Sequence, residues 1–169
     1  EKPIVFACAN PIPEIYPFAA KQAGAYIVAT GRGDFPNQVN NSVGFPGILK
    51  GTLLIRALKI TDNMALAAAK SLAAFAENRG INPDNIIANM DESGVFAFEA
   101  ADVAMQAIED GVARIKMNKE EVYKLADKDI KESRELLRHL TANAFIKTPD
   151  YSLIQEAVQY TVKKINEKI

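Results

Sequence analysis

The sequence holds 169 residues, 49% of them hydrophobic and 24% charged, with 20 basic against 21 acidic side chains and a net charge of −1. That length suits one globular domain, and the apolar content supports a real core, which excludes intrinsic disorder. The even charge balance, with a pI near 5.9, excludes the basic face that nucleic acid or an anionic membrane would require, and no apolar stretch approaches the ~20 residues of a membrane span.

The single cysteine, Cys8, cannot close an intramolecular disulfide, which fits a reducing, cytoplasmic setting. The chain starts at Glu1 without a methionine, as a processed or excerpted piece would. Composition changes along its length. Up to Gly51 it carries six of its eight prolines and six of its nine glycines; from Thr52 onward it is rich in Ala, Leu, Lys and Glu. Turn-formers punctuate short elements, whereas the later composition belongs to long helices. No repeat and no low-complexity tract is present.

Ile4-Val5-Phe6-Ala7-Cys8-Ala9 is an almost wholly apolar run ending at Asn10-Pro11. Without polar alternation it predicts a strand covered on both faces, with Cys8 a small buried thiol. Glu14 to Ala23 predicts a short helix stopped by Gly24. Ala25-Tyr26-Ile27-Val28-Ala29-Thr30 is a second such strand leading into Gly31. Strand, helix, strand within about thirty residues is a βαβ unit, and its strands are expected to lie parallel and adjacent.

Thr61 is placed to cap a helix through about Glu77, ended by Arg79-Gly80. Ile86-Ile87-Ala88 suggests one more short strand. From Ser93 a helix runs to about Gly111, with Phe98, Ala101, Met105, Ile108 and Val112 at helical spacing. Asn118 and Glu121 form a capping box opening a helix with Val122, Leu125, Ala126, Ile130, Leu137 and Leu140 on its apolar side. Thr148-Pro149 predicts the start of a last helix, with Ile154, Val158, Val162 and Ile165 on one side.

Residues 112–139 hold eight basic and six acidic side chains. Their interleaving, with Glu120–Lys124 and Asp127–Lys131 at i,i+4, reads as a solvated helix face, not a phosphate stripe. A nucleophilic Cys8 would need a base, and the only histidine, His139, is 131 residues away. Asp91-Glu92 suits a helix start. Gly31-Arg32-Gly33-Asp34-Phe35-Pro36 opens like a dinucleotide fingerprint, but Pro36 replaces the third glycine.

Placement is more telling. Asn10-Pro11 and Thr30-Gly31-Arg32 fall at the carboxyl ends of the two strands, the edge where open α/β sheets bind ligands. Gln38-Val39-Asn40-Asn41 follows, then Gly44-Phe45-Pro46-Gly47. Amides on such a loop can hold a polar ligand without adding charge, or can serve only turns and caps.

These motifs, in this order and spacing, resemble the NAD-binding domain of malic enzymes, of the short bacterial and archaeal kind. The likeness is close from Pro3 to about Ala69 and looser to about Met117; the last fifty residues fall outside it. The resemblance implies an α/β, Rossmann-like three-layer fold with a parallel sheet, present as an incomplete half over residues 1–117, then a mainly helical extension over 118–169. It implies oxidative decarboxylation of malate to pyruvate with NAD or NADP and with Mg²⁺ or Mn²⁺. In the family pattern Asn10 lies beside nicotinamide and substrate, Asn40 lies toward the cofactor, and Asn41 contacts malate. The family's catalytic and metal-ligating residues and its pyrophosphate turn have no counterpart here and are expected upstream of Glu1, so the chain alone is expected not to turn over. The apolar stripes of the last two helices predict burial against that remainder or a homodimeric partner, the alternative being an intramolecular helical layer. The competing readings are a non-catalytic Rossmann-like binding or assembly module, and a portion of another NAD(P)-dependent dehydrogenase.

Overall fold

A computed structural model describes residues 1–148 and 150–166. Two compact units are present, Glu1–Ile130 and Lys131–Ile169.

In the first unit, β1 (Ile4–Ala7) and β2 (Ile27–Thr30) pair in parallel, in the register Ile4–Ile27 to Ala7–Thr30. Between them lies α1 (Pro17–Gln22), so the expected βαβ unit forms. The helix starts later than Glu14 because the residue before a proline is driven to extended backbone; Tyr16 has φ −72° and ψ 145°. It stops before Gly24, whose φ of +99° suits a residue without a Cβ.

The two strands are not equally covered. Val28, Ala29 and Thr30 of β2 are buried, whereas Ile4 and Phe6 of β1 are 61% and 57% exposed. One face of β1 is therefore bare, against the expectation of cover on both faces. Cys8, just past the strand, is exposed and not the buried thiol its neighbours suggest.

No strand forms at Ile86-Ile87-Ala88. The main chain there is held by a side chain instead: Asn37 Oδ1 accepts from the Ile86 N–H (2.9 Å), and Asn37 Nδ2 donates to the Val28 and Pro83 carbonyls (3.0 and 2.8 Å). One buried amide thus takes the bonds a neighbouring strand would make.

The helices follow their sequence signals. α2 (Phe45–Leu54) has Pro46 in its first turn, where a missing N–H costs nothing. α3 (Asp62–Arg79) is capped by Thr61, whose Oγ1 accepts from the Met64 N–H at 3.2 Å. α4 (Gly94–Glu109) packs against α2 and α3, and of its expected stripe Phe98, Met105 and Ile108 are only half-buried. The fully buried face runs instead through Val95, Ala97, Ala100, Val103, Ala104 and Ala107, because small residues there let α2 and α3 approach. Contact with α2 is close because Gly51 has no Cβ: one there would come within 2.5 Å of the Ala100 carbonyl oxygen. α5 (Lys119–Ala142) opens with the expected box, Asn118 and Glu121 each donating its N–H to the other's side chain at 2.9 Å. Val122 and Ala126 of its stripe are buried in the first unit.

In the second unit, Leu137 is 54% exposed, and Ile154, Val158, Val162 and Ile165 of α6 (Tyr151–Asn166) are all exposed. Pro149, expected in the first turn of that helix, lies outside the described residues. Among the described residues no helix is long and apolar enough to cross a membrane.

Candidate functional site

The carboxyl ends of β1 and β2 carry the polar loops, and a set of hydrogen bonds ties these together. The segment after β2 folds back along it: the Val39 N–H donates to the Thr30 carbonyl (2.8 Å), the Thr30 N–H to the Asn37 carbonyl (3.3 Å), and Gln38 bridges to Thr30. This holds Gln38–Asn41 against the strand end. Asn40 then donates its amide to the Gly31 carbonyl (2.9 Å) and accepts from the Ser42 N–H (2.9 Å). On the other side, Arg32 donates to the Pro11 carbonyl (3.1 Å), linking the loop after β2 to the loop after β1.

Gly31 sits between the two asparagines. A Cβ there would lie 2.9 Å from Asn10 Nδ2, so the glycine leaves the space that the Asn10 amide fills. Asn10 itself is exposed and joined to Pro11 by a cis peptide bond. Asn41 is also exposed, while its carbonyl accepts from the Gly44 and Phe45 N–H groups (3.1 and 3.0 Å) at the start of α2. The structure therefore brings Asn10 and Asn40 together at Gly31, with Asn41 the next residue along the loop.

Both readings of the asparagines hold, for different residues. Asn40 spends its amide on the main chain and shapes the loop. Asn10 and Asn41 are exposed, and each carries an amide able to donate and accept.

Charge at this edge is internally balanced. Arg32 forms a two-point pair with Asp34 (2.8 and 2.6 Å) and lies over the Phe35 ring. The Arg32 guanidinium holds the Asp34 carboxyl below the usual range, and hydrogen bonding to Asp34 raises Arg32 in turn. Glu14, expected within a helix, instead accepts from the Ala9 N–H (3.0 Å) and is held low by that bond, steadying the β1 loop. Glu92 pairs with Arg79 and caps the Asn89 N–H (2.8 Å), a structural use of the Asp91-Glu92 pair. His139 is exposed on α5, beside Asn143.

Among the described residues no three of His, Cys, Asp and Glu gather where they could hold a metal ion. Two important residues escaped the sequence reading. Asn37 could have been suspected as a turn asparagine, since it adopts φ +58°. Glu99, buried in α4, carried no signal beyond being one acid in an alanine-rich helix.

The family model "Malic enzyme, NAD binding domain" matches residues 1–109. The chain is 47% identical over 120 residues to a bifunctional malic/malolactic enzyme of Bacillus subtilis (strain 168), covering 71% of this chain and 29% of that protein. It is 46% identical over 112 residues to an NAD-dependent malic enzyme of Geobacillus stearothermophilus, covering 66% and 23%; relatives named for NADP match as well. The crystal structure of Entamoeba histolytica malic enzyme superposes with a TM-score of 0.93 at 64% identity, covering 98% of this chain and 34% of that one. That likeness takes in most of the last fifty residues, which the sequence motifs left out. The chain spans about a third or less of the length of these relatives. The two-stranded parallel sheet with its helices is thus part of a Rossmann-like domain, and the chain belongs to the malic enzyme family.

Proposed function

We propose that this chain supplies the amide-lined face of a site that oxidises and decarboxylates malate to pyruvate and CO₂, with NAD or NADP. The observation that carries this reading is the convergence of Asn10 and Asn40 on Gly31 at the sheet's carboxyl edge, with Asn41 exposed beside them. NAD(P), when bound, supplies the hydride acceptor. The edge suits that group in kind: Asn10, exposed and packed over Gly31, carries an amide that can both donate to and accept from a carboxamide. Asn40 acts on the cofactor side by fixing the Gly31 carbonyl. Asn41 orients malate, donating to a carboxylate oxygen and accepting from the hydroxyl.

Neutral amides suit this task. They fix the angle of the C2–H bond toward the acceptor without competing for the negative charge that develops when CO₂ leaves. The described residues do not fit Mg²⁺ or Mn²⁺, because no ligand cluster is present. Metal ligands, general base and pyrophosphate turn fall, on this reading, to chain outside these 169 residues. The bare face of β1, with Ile4 and Phe6 exposed, supports a partner there. The exposed stripe of α6 supports a homodimer, and one unpaired, exposed thiol supports the cytoplasm.

The test is the reaction itself. The full-length protein is expected to reduce NAD(P)⁺ only with malate present, releasing one CO₂ and one pyruvate per nucleotide reduced. Reduction without CO₂ release would replace this reading with that of a simple malate dehydrogenase.

A further inference from the structure

Among the described residues Glu99 is the one fully buried acidic side chain, and neither of its carboxyl oxygens makes a hydrogen bond. It lies on α4 where that helix meets the first turn of α2. A Cβ at Gly47 would overlap its Oε2 and Cδ, so this glycine makes room for the carboxyl group. A Cβ at Gly44 would lie 3.8 Å from both Glu99 Oε1 and the Asn41 carbonyl oxygen. Gly44 also donates its N–H to that carbonyl at 3.1 Å. Glu99, the first turn of α2 and Asn41 therefore form one packed column.

Three cations of the surrounding helices are engaged elsewhere. Lys50 of α2 pairs with Asp129 of α5, Lys119 of α5 with Asp102 of α4, and Arg79 of α3 with Glu92. Burial raises the pKa of Glu99 to about 8; the Gly47 main-chain amide, near the carboxyl but not in hydrogen-bond geometry with it, opposes that rise, and no charged side chain among the described residues contributes. An uncompensated buried carboxylate is costly, so the group stays neutral at pH 7.

We infer that Glu99, as a neutral carboxylic acid, is a positioning residue that seats the first turn of α2 and so holds Asn41 toward malate. This rests on the reading of Asn41 as the malate contact. Losing the proton places a charge with no counter-ion against Gly44 and Gly47, and relief requires α2 to move or water to enter. Either shift displaces Asn41. Affinity for malate should therefore fall in alkali, while affinity for the nucleotide, held at Asn10 and Gly31, should not.

The experiment is the pH dependence of KM for malate and for NAD(P)⁺ in the full-length enzyme and in Glu99→Gln. In the wild type the malate KM is expected to rise above pH ~8 by up to tenfold per unit, with the nucleotide KM flat. In Glu99→Gln, which cannot ionise, that rise is expected to vanish; Glu99→Met, neutral and of similar length, serves if the Gln variant does not fold. An identical alkaline rise in the variant, or a flat wild-type profile, overturns the positioning role. Asn41→Ala separates the two layers: no effect on malate KM sinks the site reading, whereas an effect alongside an unaltered Glu99→Gln profile sinks only this inference.

Discussion

Replacing Glu99 by Gln should make the protein more stable in alkali and leave it nearly unchanged in acid. In the folded chain Glu99 titrates at about 8, against an ordinary value of 4.5. Below pH ~4.5 both folded and unfolded chains hold the proton, and the group adds no pH dependence. Between 4.5 and 8 the unfolded chain releases it and the folded chain keeps it, so stability falls as pH rises. Each pH unit in that window costs ~1.4 kcal/mol, giving a ceiling of roughly 5 kcal/mol above pH ~8. Local relaxation and water entry lower that figure, so a few kcal/mol is the working expectation. At roughly 2–4 °C per kcal/mol for a domain of this size, the melting temperature of Glu99→Gln should exceed wild type by on the order of 10 °C at pH 9. The two should converge near pH 5. Scanning calorimetry of both proteins across that range reads the difference. Melting curves that run parallel from pH 5 to 9 would refute the reasoning, because they would mean the carboxyl is solvated or paired in the folded state.

Asn37→Ala removes an amide that serves three main-chain groups and puts alanine at φ +58°; chemical denaturation should show a loss of about 2–4 kcal/mol. Asn37→Gly, free of the backbone strain, should recover up to ~1 kcal/mol of it. Gly31→Ala forces Asn10 aside, since its Cβ would stand 2.9 Å from the Asn10 amide nitrogen; steady-state kinetics should show a raised KM for NAD(P)⁺ with little change in melting temperature. Deleting residues 150–169 removes the exposed stripe of α6, and light scattering should report a smaller assembly. A truncated enzyme that keeps its mass would free that helix from the dimer contact.

The sequence makes some of this plain because the signals are local. Two uninterrupted apolar runs separated by a short helix specify parallel strands, and Ile4–Ala7 pairs with Ile27–Thr30 as expected. Thr61 and the Asn118–Glu121 pair cap their helices through bonds spanning three residues, a distance over which sequence is a direct guide. The misreadings are long-range. Ile86-Ile87-Ala88 has strand composition, but Asn37, 49 residues earlier, takes its ladder bond. Cys8 sits in an apolar run, yet nothing among the described residues covers it. Glu99 is one of three acids in a helix with five alanines in its sixteen residues; only the packing of Gly47 against it shows that this acid is the buried one. The asparagines themselves were legible, but their division of labour was not. That Asn40 serves the main chain while Asn10 and Asn41 stay exposed depends on where Gly31 and α2 lie.

The central claim is that the exposed amides divide malate from nucleotide, and one pair of substitutions tests it. In the full-length enzyme, Asn41→Ala should lower kcat/KM for malate by roughly 5- to 150-fold, the equivalent of ~1–3 kcal/mol for a lost substrate hydrogen bond, with the KM for NAD(P)⁺ unchanged. Asn10→Ala should instead raise the KM for NAD(P)⁺. Wild-type malate kinetics in Asn41→Ala, in a protein that melts as the wild type does, would contradict the account.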